Sequence, residues 1–284
     1  MTPVDGGQHH PRYDEKPDWD VRDADNLDPL GEDGRMLVSK AYLREERLSD
    51  RDEWPFTVPA VRELGRSGLV FSRPVTFLVG ENGSGKSTVV EAIAEAYGLD
   101  ARGGRVGRKY VNDRPRTVLG ESLELELTDL GYRQKQRTRL KQKGYFLRAE
   151  TAFGFMEAIT QNKLPGYWSE DVTTMSHGEG FLHVFEEMFA EPGLYLMDEP
   201  EAALSFSSCL SLVSLMYRLG QSGAQVICAT HSPVLAATPD ADIVELGDEG
   251  LRRTSWDELD LVFHWRRYLD DPRAYLRHVV DPPG

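Results

Sequence analysis

Cysteine and long apolar stretches are both scarce in this sequence. It has two cysteines in 284 residues, Cys209 and Cys228, and both stand in apolar patterns. We therefore expect reduced core thiols without a functional role, rather than a disulfide or a metal pair. No apolar run approaches the roughly 18 residues that span a bilayer, and no basic-then-apolar leader opens the chain. These absences predict a cytoplasmic protein with no stable membrane insertion.

Basic residues are outnumbered as well. Lysine and arginine total 33 against 47 aspartates and glutamates, which gives a net charge of −14. The chain as a whole therefore does not favour nucleic-acid binding. The acidic excess is strongest over residues 1–35, where apolar residues are few and several glycines and prolines occur. That composition predicts a disordered acidic tail, followed by one folded domain over residues 36–284.

What the sequence does contain is a glycine-rich loop between a strand and a helix. Val75–Val79 predict a short apolar strand, and Thr88–Tyr97 carry apolar residues at helical spacing. The loop between them matches G-x-x-x-x-G-K-S/T, the phosphate-binding P-loop. Its glycines allow successive backbone N–H groups to point into one concavity. The segment therefore predicts a site for the phosphates of a nucleotide.

Individual residues of this loop have predicted roles. Lys86 is expected to reach the β- and γ-phosphates, and the Ser87 hydroxyl is expected to hold Mg²⁺. The N-terminus of the following helix adds its positive dipole end. The predicted phosphate-binding residues are Gly80, Glu81, Asn82, Gly83, Ser84, Gly85, Lys86, Ser87 and Thr88.

A second apolar strand ends in two carboxylates. Leu194–Met197 predict a buried strand, and Asp198 and Glu199 follow it. Burying charge is costly, and a bound Mg²⁺ supplies a reason for it. Asp198 is therefore a predicted metal ligand, directly or through water, and Glu199 is predicted to polarise the water that attacks the γ-phosphate.

A third apolar strand, Gln225–Ala229, leads to His231. Ligands of open α/β sheets bind at the carboxyl ends of the strands, so three strands deliver Lys86, Glu199 and His231 to one catalytic site. A small, glycine-containing segment that opens a further helical pattern is a second anion-binding feature. It consists of Ser176, His177, Gly178 and Glu179.

Residues 101–150 form a basic region with a predicted hairpin. Leu123–Leu127 alternate like a half-buried strand, and Tyr132–Lys143 carry cations at a period of two. The preferred interpretation of this basic antiparallel hairpin is a solvated face, and the alternative is a polyanion-binding surface. The cations are Arg133, Lys135, Arg137, Arg139, Lys141 and Lys143.

Aromatic residues upstream of the P-loop are candidates for stacking on adenine. They are Trp54, Phe56 and Phe71. An aromatic side chain at such a position is more often part of a core, so the identity of a stacking residue stays open.

Taken together, the motifs resemble an ABC-type ATPase. More narrowly, the chain resembles the soluble bacterial "predicted ATPase" or AAA family ATPase group, related to SMC and RecF heads. The resemblance covers about residues 42–280. It rests on the P-loop, Ser176–Glu179, Asp198–Ser205 (DEPEAALS), Ala229–Pro233 (ATHSP), Phe146–Glu150 (FLRAE) and Asp271–Arg273.

The resemblance implies an α/β P-loop fold with a mostly parallel core sheet, an antiparallel β-subdomain and a short helical insert at about residues 151–180. It implies ATP and Mg²⁺ as ligands and a homodimer that closes around two nucleotides. Ser176–Glu179 match the signature motif, which contacts the γ-phosphate bound to the second subunit. Glu199 matches the general base, His231 the switch histidine, and Ala202–Ser205 the D-loop at the dimer interface.

The chain departs from the family pattern at three positions. His177 and Glu179 replace a usual glycine and glutamine of the signature, and Glu150 stands where the Q-loop glutamine is expected. These departures argue against transporter coupling. We therefore favour a soluble ATPase. The alternatives are an ATP-gated module that binds DNA or a partner protein and, less favoured, the ATPase subunit of a membrane transporter.

Overall fold

The computed structural model describes residues 36–44, 46, 52–101, 103–105, 116–136, 144–148, 185, 189, 192–277 and 279–280. Several predicted features lie outside these residues. They are the acidic tail at 1–35, the helical insert at about 151–180 with the signature residues Ser176–Glu179, and Glu150.

The described residues form two β-sheets with helices packed on them. The strands are β1 (Val38–Leu43), β2 (Leu69–Val70), β3 (Val75–Gly80), β4 (Gly104–Arg105), β5 (Leu123–Leu127), β6 (Gly144–Arg148), β7 (Leu194–Asp198), β8 (Gln225–Thr230), β9 (Asp242–Gly247) and β10 (Gly250–Arg253). The helices are α1 (Pro59–Arg66), α2 (Lys86–Tyr97), α3 (Val118–Ser122), α4 (Asp129–Gln136), α5 (Phe206–Gln221), α6 (Pro233–Ala236), α7 (Asp260–Asp270) and α8 (Pro272–Leu276).

The larger sheet is mostly parallel. Its strand order is β10-β9-β3-β8-β7-β6-β4, and only β10 and β4, at its two edges, pair antiparallel with their neighbours. Strands β7 and β8 are buried along their whole length. This explains their continuous apolar sequences, because parallel strands covered on both faces have no solvent side. The predicted α/β fold with a mostly parallel core sheet is confirmed.

The two faces of this sheet pack into separate cores. Successive residues of β3 face different cores. Phe77 belongs to the core with Leu212 and Met216 of α5, whereas Leu78 belongs to the core with Ile93 of α2. All of these side chains are fully buried. Because α2 follows the P-loop directly, its burial against the sheet fixes the loop at the carboxyl end of β3.

The smaller sheet is antiparallel, with strand order β2-β1-β5. The buried Gln225 side chain connects it to the base of β8. Its Oε1 accepts hydrogen bonds from the N–H groups of Leu37 (3.0 Å) and Val38 (2.8 Å), and its Nε2 donates to the Val38 carbonyl at 2.9 Å. The predicted antiparallel β-subdomain is therefore present, but β5 pairs with β1 rather than with a strand that follows it.

The prediction that residues 132–136 form the second strand of a basic hairpin is wrong. After β5 the chain enters α4, and the Thr128 hydroxyl accepts from the Gly131 N–H at 3.1 Å, as a helix N-cap does. Asp129 in the first turn and Arg133 and Lys135 in the last complement the helix dipole. The spacing of two between these cations therefore does not reflect the alternating faces of a strand. Arg137–Lys143 lie outside the described residues.

Candidate functional site

The P-loop occupies the turn from β3 into α2. Gly83 and Gly85 have φ angles of 85° and 98°, in the left-handed region that favours glycine, and Gly85 immediately precedes α2. At Gly80 an added Cβ would lie 2.4 Å from the Leu246 carbonyl oxygen of β9. The motif glycines are therefore required by backbone geometry and by the close approach of a neighbouring strand.

Lys86 is folded back over its own loop. Its Nζ donates to the carbonyls of Gly80 (2.8 Å) and Glu81 (2.9 Å), and the residue is only 3% exposed. Burial lowers the pKa of the ammonium, and the nearby carboxylates of Glu199 and Asp198 oppose that shift. A desolvated cation forms strong charge-assisted hydrogen bonds, so Lys86 is placed to pair with an anion in the loop.

Ser87 and Asp198 meet across the sheet edge. The Ser87 hydroxyl donates to Asp198 Oδ1 at 2.9 Å. Burial raises the pKa of Asp198, while the Ser87 hydrogen bond and the Arg148 guanidinium lower it. A hydroxyl and a carboxylate are hard oxygen ligands of the kind Mg²⁺ prefers.

Two further observations bear on whether ATP·Mg²⁺ fits these residues. The Ser84 hydroxyl in the P-loop is buried and has no hydrogen-bond partner among the described residues, which suits a donor that contacts an anion. No cluster of three His, Cys, Asp or Glu residues with metal-site geometry occurs in the described part of the chain. A magnesium ion held by Ser87 and Asp198 would therefore complete its ligands with phosphate oxygens and water, and the residues fit that arrangement.

Glu199 and His231 form a pair next to this site. His231 Nε2 lies 2.8 Å from Glu199 Oε1, and both side chains are partly exposed. Glu199 has a left-handed backbone, with φ 51° and ψ 50°, which is unfavourable for a residue with a side chain. Its N–H donates to the Ala229 carbonyl at 2.9 Å, and this bond to β8 holds the strained residue in place beside the histidine.

The site includes two residues to which the sequence analysis gave no role. Glu201 Oε1 accepts from the Thr230 hydroxyl at 2.6 Å and from the His231 N–H at 2.7 Å. Arg148, at the end of β6, places Nη1 2.7 Å from Glu91 Oε1 and Nη2 3.9 Å from Asp198 Oδ2. The sequence signal that could have identified them was their position. Glu201 follows Glu199 within DEPE, and Arg148 is the last residue of β6, which pairs with β7.

The structure thus brings together Lys86, Ser87, Asp198, Glu199 and His231, as the carboxyl-end argument predicts. The signature residues Ser176, His177, Gly178 and Glu179 lie outside the described residues, and their role stays a prediction.

Of the three aromatic candidates, Phe56 (5% exposed) and Phe71 (2% exposed) are core residues, which removes them as stacking partners. Trp54 is 72% exposed and remains a candidate.

Two family profiles match the chain in the region of this site. A profile described as "ABC transporter" matches residues 68–202, which include the P-loop, Asp198 and Glu199. A second, described as "AAA domain, putative AbiEii toxin, Type IV TA system", matches residues 187–237, which include His231. Over residues 68–202 the chain therefore resembles ABC-type ATPases.

Curated relatives that the chain resembles include ATP-binding proteins of importers. The hemin import ATP-binding protein HmuV of Rhodopseudomonas palustris is 29% identical over 56% of this chain and 66% of the relative. The ribose import ATP-binding protein RbsA 1 of Burkholderia cenocepacia is 28% identical over 68% of this chain and 39% of the relative. The multidrug resistance protein CDR2 of Candida albicans is 25% identical over 72% and 15%. The chain thus spans less than two thirds of the length of these relatives.

Solved structures to which the chain is similar include cbiO1 from Clostridium perfringens, part of the ABC transporter complex cbiONQ. Its TM-score is 0.43 at 15% identity, over 75% of this chain and 90% of that one. The SMC head domain from Thermotoga maritima has a TM-score of 0.40 at 17% identity, over 78% and 99%. Within the described ranges of the chain, no helix combines the length and apolarity that a membrane span needs.

Proposed function

We propose that this chain binds ATP·Mg²⁺ in the P-loop and hydrolyses it to ADP and phosphate, with Glu199 as general base. The contact between Glu199 and His231, at 2.8 Å, carries this proposal. It lies at the sheet edge where Lys86 and the Ser87–Asp198 pair also converge, so groups suited to phosphate, metal and attacking water occupy one site.

Each residue has a distinct task in the proposed reaction. Lys86, buried and cationic, neutralises charge on the β- and γ-phosphates. Ser87 and Asp198 hold Mg²⁺, which when bound stabilises the charge that develops during phosphoryl transfer. Glu199 accepts the proton of the attacking water, and His231 holds the Glu199 carboxylate through its ring nitrogen.

The proposal includes a homodimer that forms on ATP binding. It is supported by the match of Ser176, His177, Gly178 and Glu179 to the signature motif, which in the family faces a γ-phosphate bound to the other subunit. Since ADP lacks that phosphate, only ATP is expected to close the dimer.

Glu199→Gln tests both the assignment of the general base and the ATP-dependent dimer. The substitution keeps the shape of the side chain and leaves Asp198 in place, but it removes the base. We expect kcat to fall by about 10²- to 10⁴-fold, and light scattering coupled to size exclusion to show a dimer with ATP·Mg²⁺ and a monomer with ADP. Adding Ser176→Arg should restore the monomer.

Glu249→Gln is the matched control, because Glu249 is an exposed carboxylate in the turn between β9 and β10. It should behave as the parent does. Parent-rate turnover by Glu199→Gln would contradict the assignment of the base. A Glu199→Gln protein that stays monomeric at saturating ATP would contradict the two-site mechanism.

For the biological context we propose a soluble ATPase of the bacterial "predicted ATPase" group, on the strength of Glu150, His177 and Glu179, which depart from the transporter pattern. The names of HmuV and RbsA 1 favour a second candidate, the ATP-binding subunit of an importer. Co-purification with a membrane protein would support that candidate. Turnover stimulated by DNA, lost when Arg137 and Arg139 are reversed in charge, would support an ATP-gated DNA-binding module.

A further inference from the structure

The Glu201 carboxylate has no task in the reaction outlined above. It lies on the short 3-10 turn Pro200–Ala203, which begins directly after Glu199. Its Oε1 atom accepts two hydrogen bonds at the end of β8: one from the hydroxyl of Thr230, the last residue of the strand, at 2.6 Å, and one from the backbone N–H of His231, the next residue, at 2.7 Å.

The Thr230 hydroxyl extends this restraint by one residue. It accepts a hydrogen bond from the Ser232 N–H at 2.9 Å, and the Ser232 hydroxyl accepts from the Leu235 N–H at the start of α6. One carboxylate oxygen therefore organises three successive residues, Thr230–Ser232, which we call the His231 loop because the histidine stands at its centre.

The other oxygen of Glu201 does not tie the side chain to a second segment among the described residues. Oε2 is buried and has no hydrogen-bond partner within the described ranges of the chain. Burying an acceptor without a donor costs free energy. The hydrogen bonds that the carboxylate makes in these ranges go to the His231 loop alone.

His231 is consequently held from two sides. Its backbone N–H is fixed by Glu201, and its ring is fixed by Glu199 at 2.8 Å. Glu199 and Glu201 are themselves joined through one turn, because the Ala202 N–H donates to the Glu199 carbonyl at 3.1 Å. The relative position of base and histidine is therefore set by a closed ring of contacts between the ends of β7 and β8.

We propose that Glu201 is a positioning residue for hydrolysis, which acts by holding the His231 loop so that the imidazole meets the Glu199 carboxylate. This inference rests on the proposed ATPase function. It predicts that Glu201 supports the chemical step and does not strengthen ATP binding. None of its described hydrogen bonds reaches Lys86 or Ser87, and its negative charge near Lys86 does not attract phosphate.

The test compares four variants of the full chain: Glu201→Ala, Glu201→Gln, His231→Ala and the Glu201→Ala/His231→Ala double substitution. Glu201→Ala should lower kcat by about 10- to 100-fold, the effect of a small misplacement of a catalytic group, without weakening the affinity for a fluorescent ATP analogue. Glu201→Gln retains an acceptor for the two donors and should recover most of the activity. The double substitution should be no slower than His231→Ala, because residues that act as a unit are not additive.

The outcomes separate this inference from the function on which it rests. A parent protein that does not hydrolyse ATP overturns both. If the parent hydrolyses ATP and Glu201→Ala has the same kcat as the parent, only the role of Glu201 is overturned. The same holds if the losses in kcat of the two single substitutions multiply in the double substitution.

If Glu201→Ala fails to fold, as judged by its thermal transition, Thr230→Val removes the hydroxyl link while preserving volume. It should lower kcat with ATP affinity intact. A Thr230→Val protein with parent kcat would then overturn the proposal.

Discussion

The two halves of the candidate site are built in different ways. The P-loop comes from one contiguous segment, in which Lys86 bonds the carbonyls of Gly80 and Glu81 only a few residues before it. The hydrolytic half joins Glu199 to His231, which are 32 residues apart in the chain. Phosphate binding is therefore encoded locally in glycine-dependent backbone geometry, whereas the base and its histidine depend on how two strands pair.

The register of those strands decides the second half. In the β7–β8 pair Asp198 lies opposite Ala229, and the Glu199 N–H continues the pairing to the Ala229 carbonyl. A shift by one residue would turn each side chain to the other face of the sheet. The pair can thus be lost while the P-loop stays intact, and substitutions can separate the two halves.

The largest effect is expected from a substitution in the P-loop, the phosphate-binding half of the site. Lys86→Ala removes a buried cation from the phosphates and should lower the affinity for a fluorescent ATP analogue by about 1.5–3 kcal/mol, with turnover lost as well. Lys135→Ala is the control, since Lys135 is exposed on α4. Equal affinities for the Lys86→Ala variant and the parent would rule out the P-loop assignment.

Breaking the hydrolytic half should leave binding intact. His231→Ala removes the ring that contacts Glu199, so kcat should fall by about 10²-fold or more while the affinity for the ATP analogue stays at the parent value. His264→Ala is a suitable control, because His264 bonds the Tyr275 hydroxyl on the C-terminal helices. Should His231→Ala lose affinity as strongly as Lys86→Ala does, the two halves would not be separable.

A substitution in the antiparallel sheet should alter stability without altering either half. Gly131 of α4 packs so closely on the chain before β1 that an added Cβ would lie 2.0 Å from the Leu37 carbonyl oxygen. Gly131→Ala should therefore lower the free energy of unfolding by about 1–3 kcal/mol, measured by urea denaturation, with kcat unchanged. At Gly247 an added Cβ meets no atom within 4 Å, so Gly247→Ala should have little effect. Equal stabilities of the two variants would argue against the packing of α4.

The smallest effect concerns the cysteines. Burial raises the pKa of both thiols, that of Cys228 well above its ordinary value. The thiolate is the reactive form, so at about pH 8 both thiols should stay protonated and unreactive toward a disulfide reagent until urea unfolds the chain. Rapid labelling of the folded protein would contradict this. A Cys209→Ala/Cys228→Ala variant that folds but loses turnover would contradict their lack of a functional role.

The sequence by itself determined the elements whose signals are local. Gly83 and Gly85 predicted the loop because few other residues adopt their backbone angles, and the continuous apolar runs of β7 and β8 predicted strands buried on both faces. The rule that ligands bind at the carboxyl ends of parallel strands then brought Lys86, Asp198, Glu199 and His231 to one edge. For the loop and for each strand, a short stretch of chain contains the whole physical cause, whereas the contact between Glu199 and His231 also needs the pairing of β7 with β8.

Only the tertiary structure decided the features that depend on a distant partner. Thr128 caps α4, and Gly131 lets that helix pack on Leu37, so residues 132–136 of the basic segment form a helix instead of a strand. Glu201 gained its place through donors on Thr230 and His231, about 30 residues away. The sequence does not identify the hydrogen-bond donor of such a carboxylate, because partners across a sheet are fixed by strand order and register. These are features of the tertiary structure.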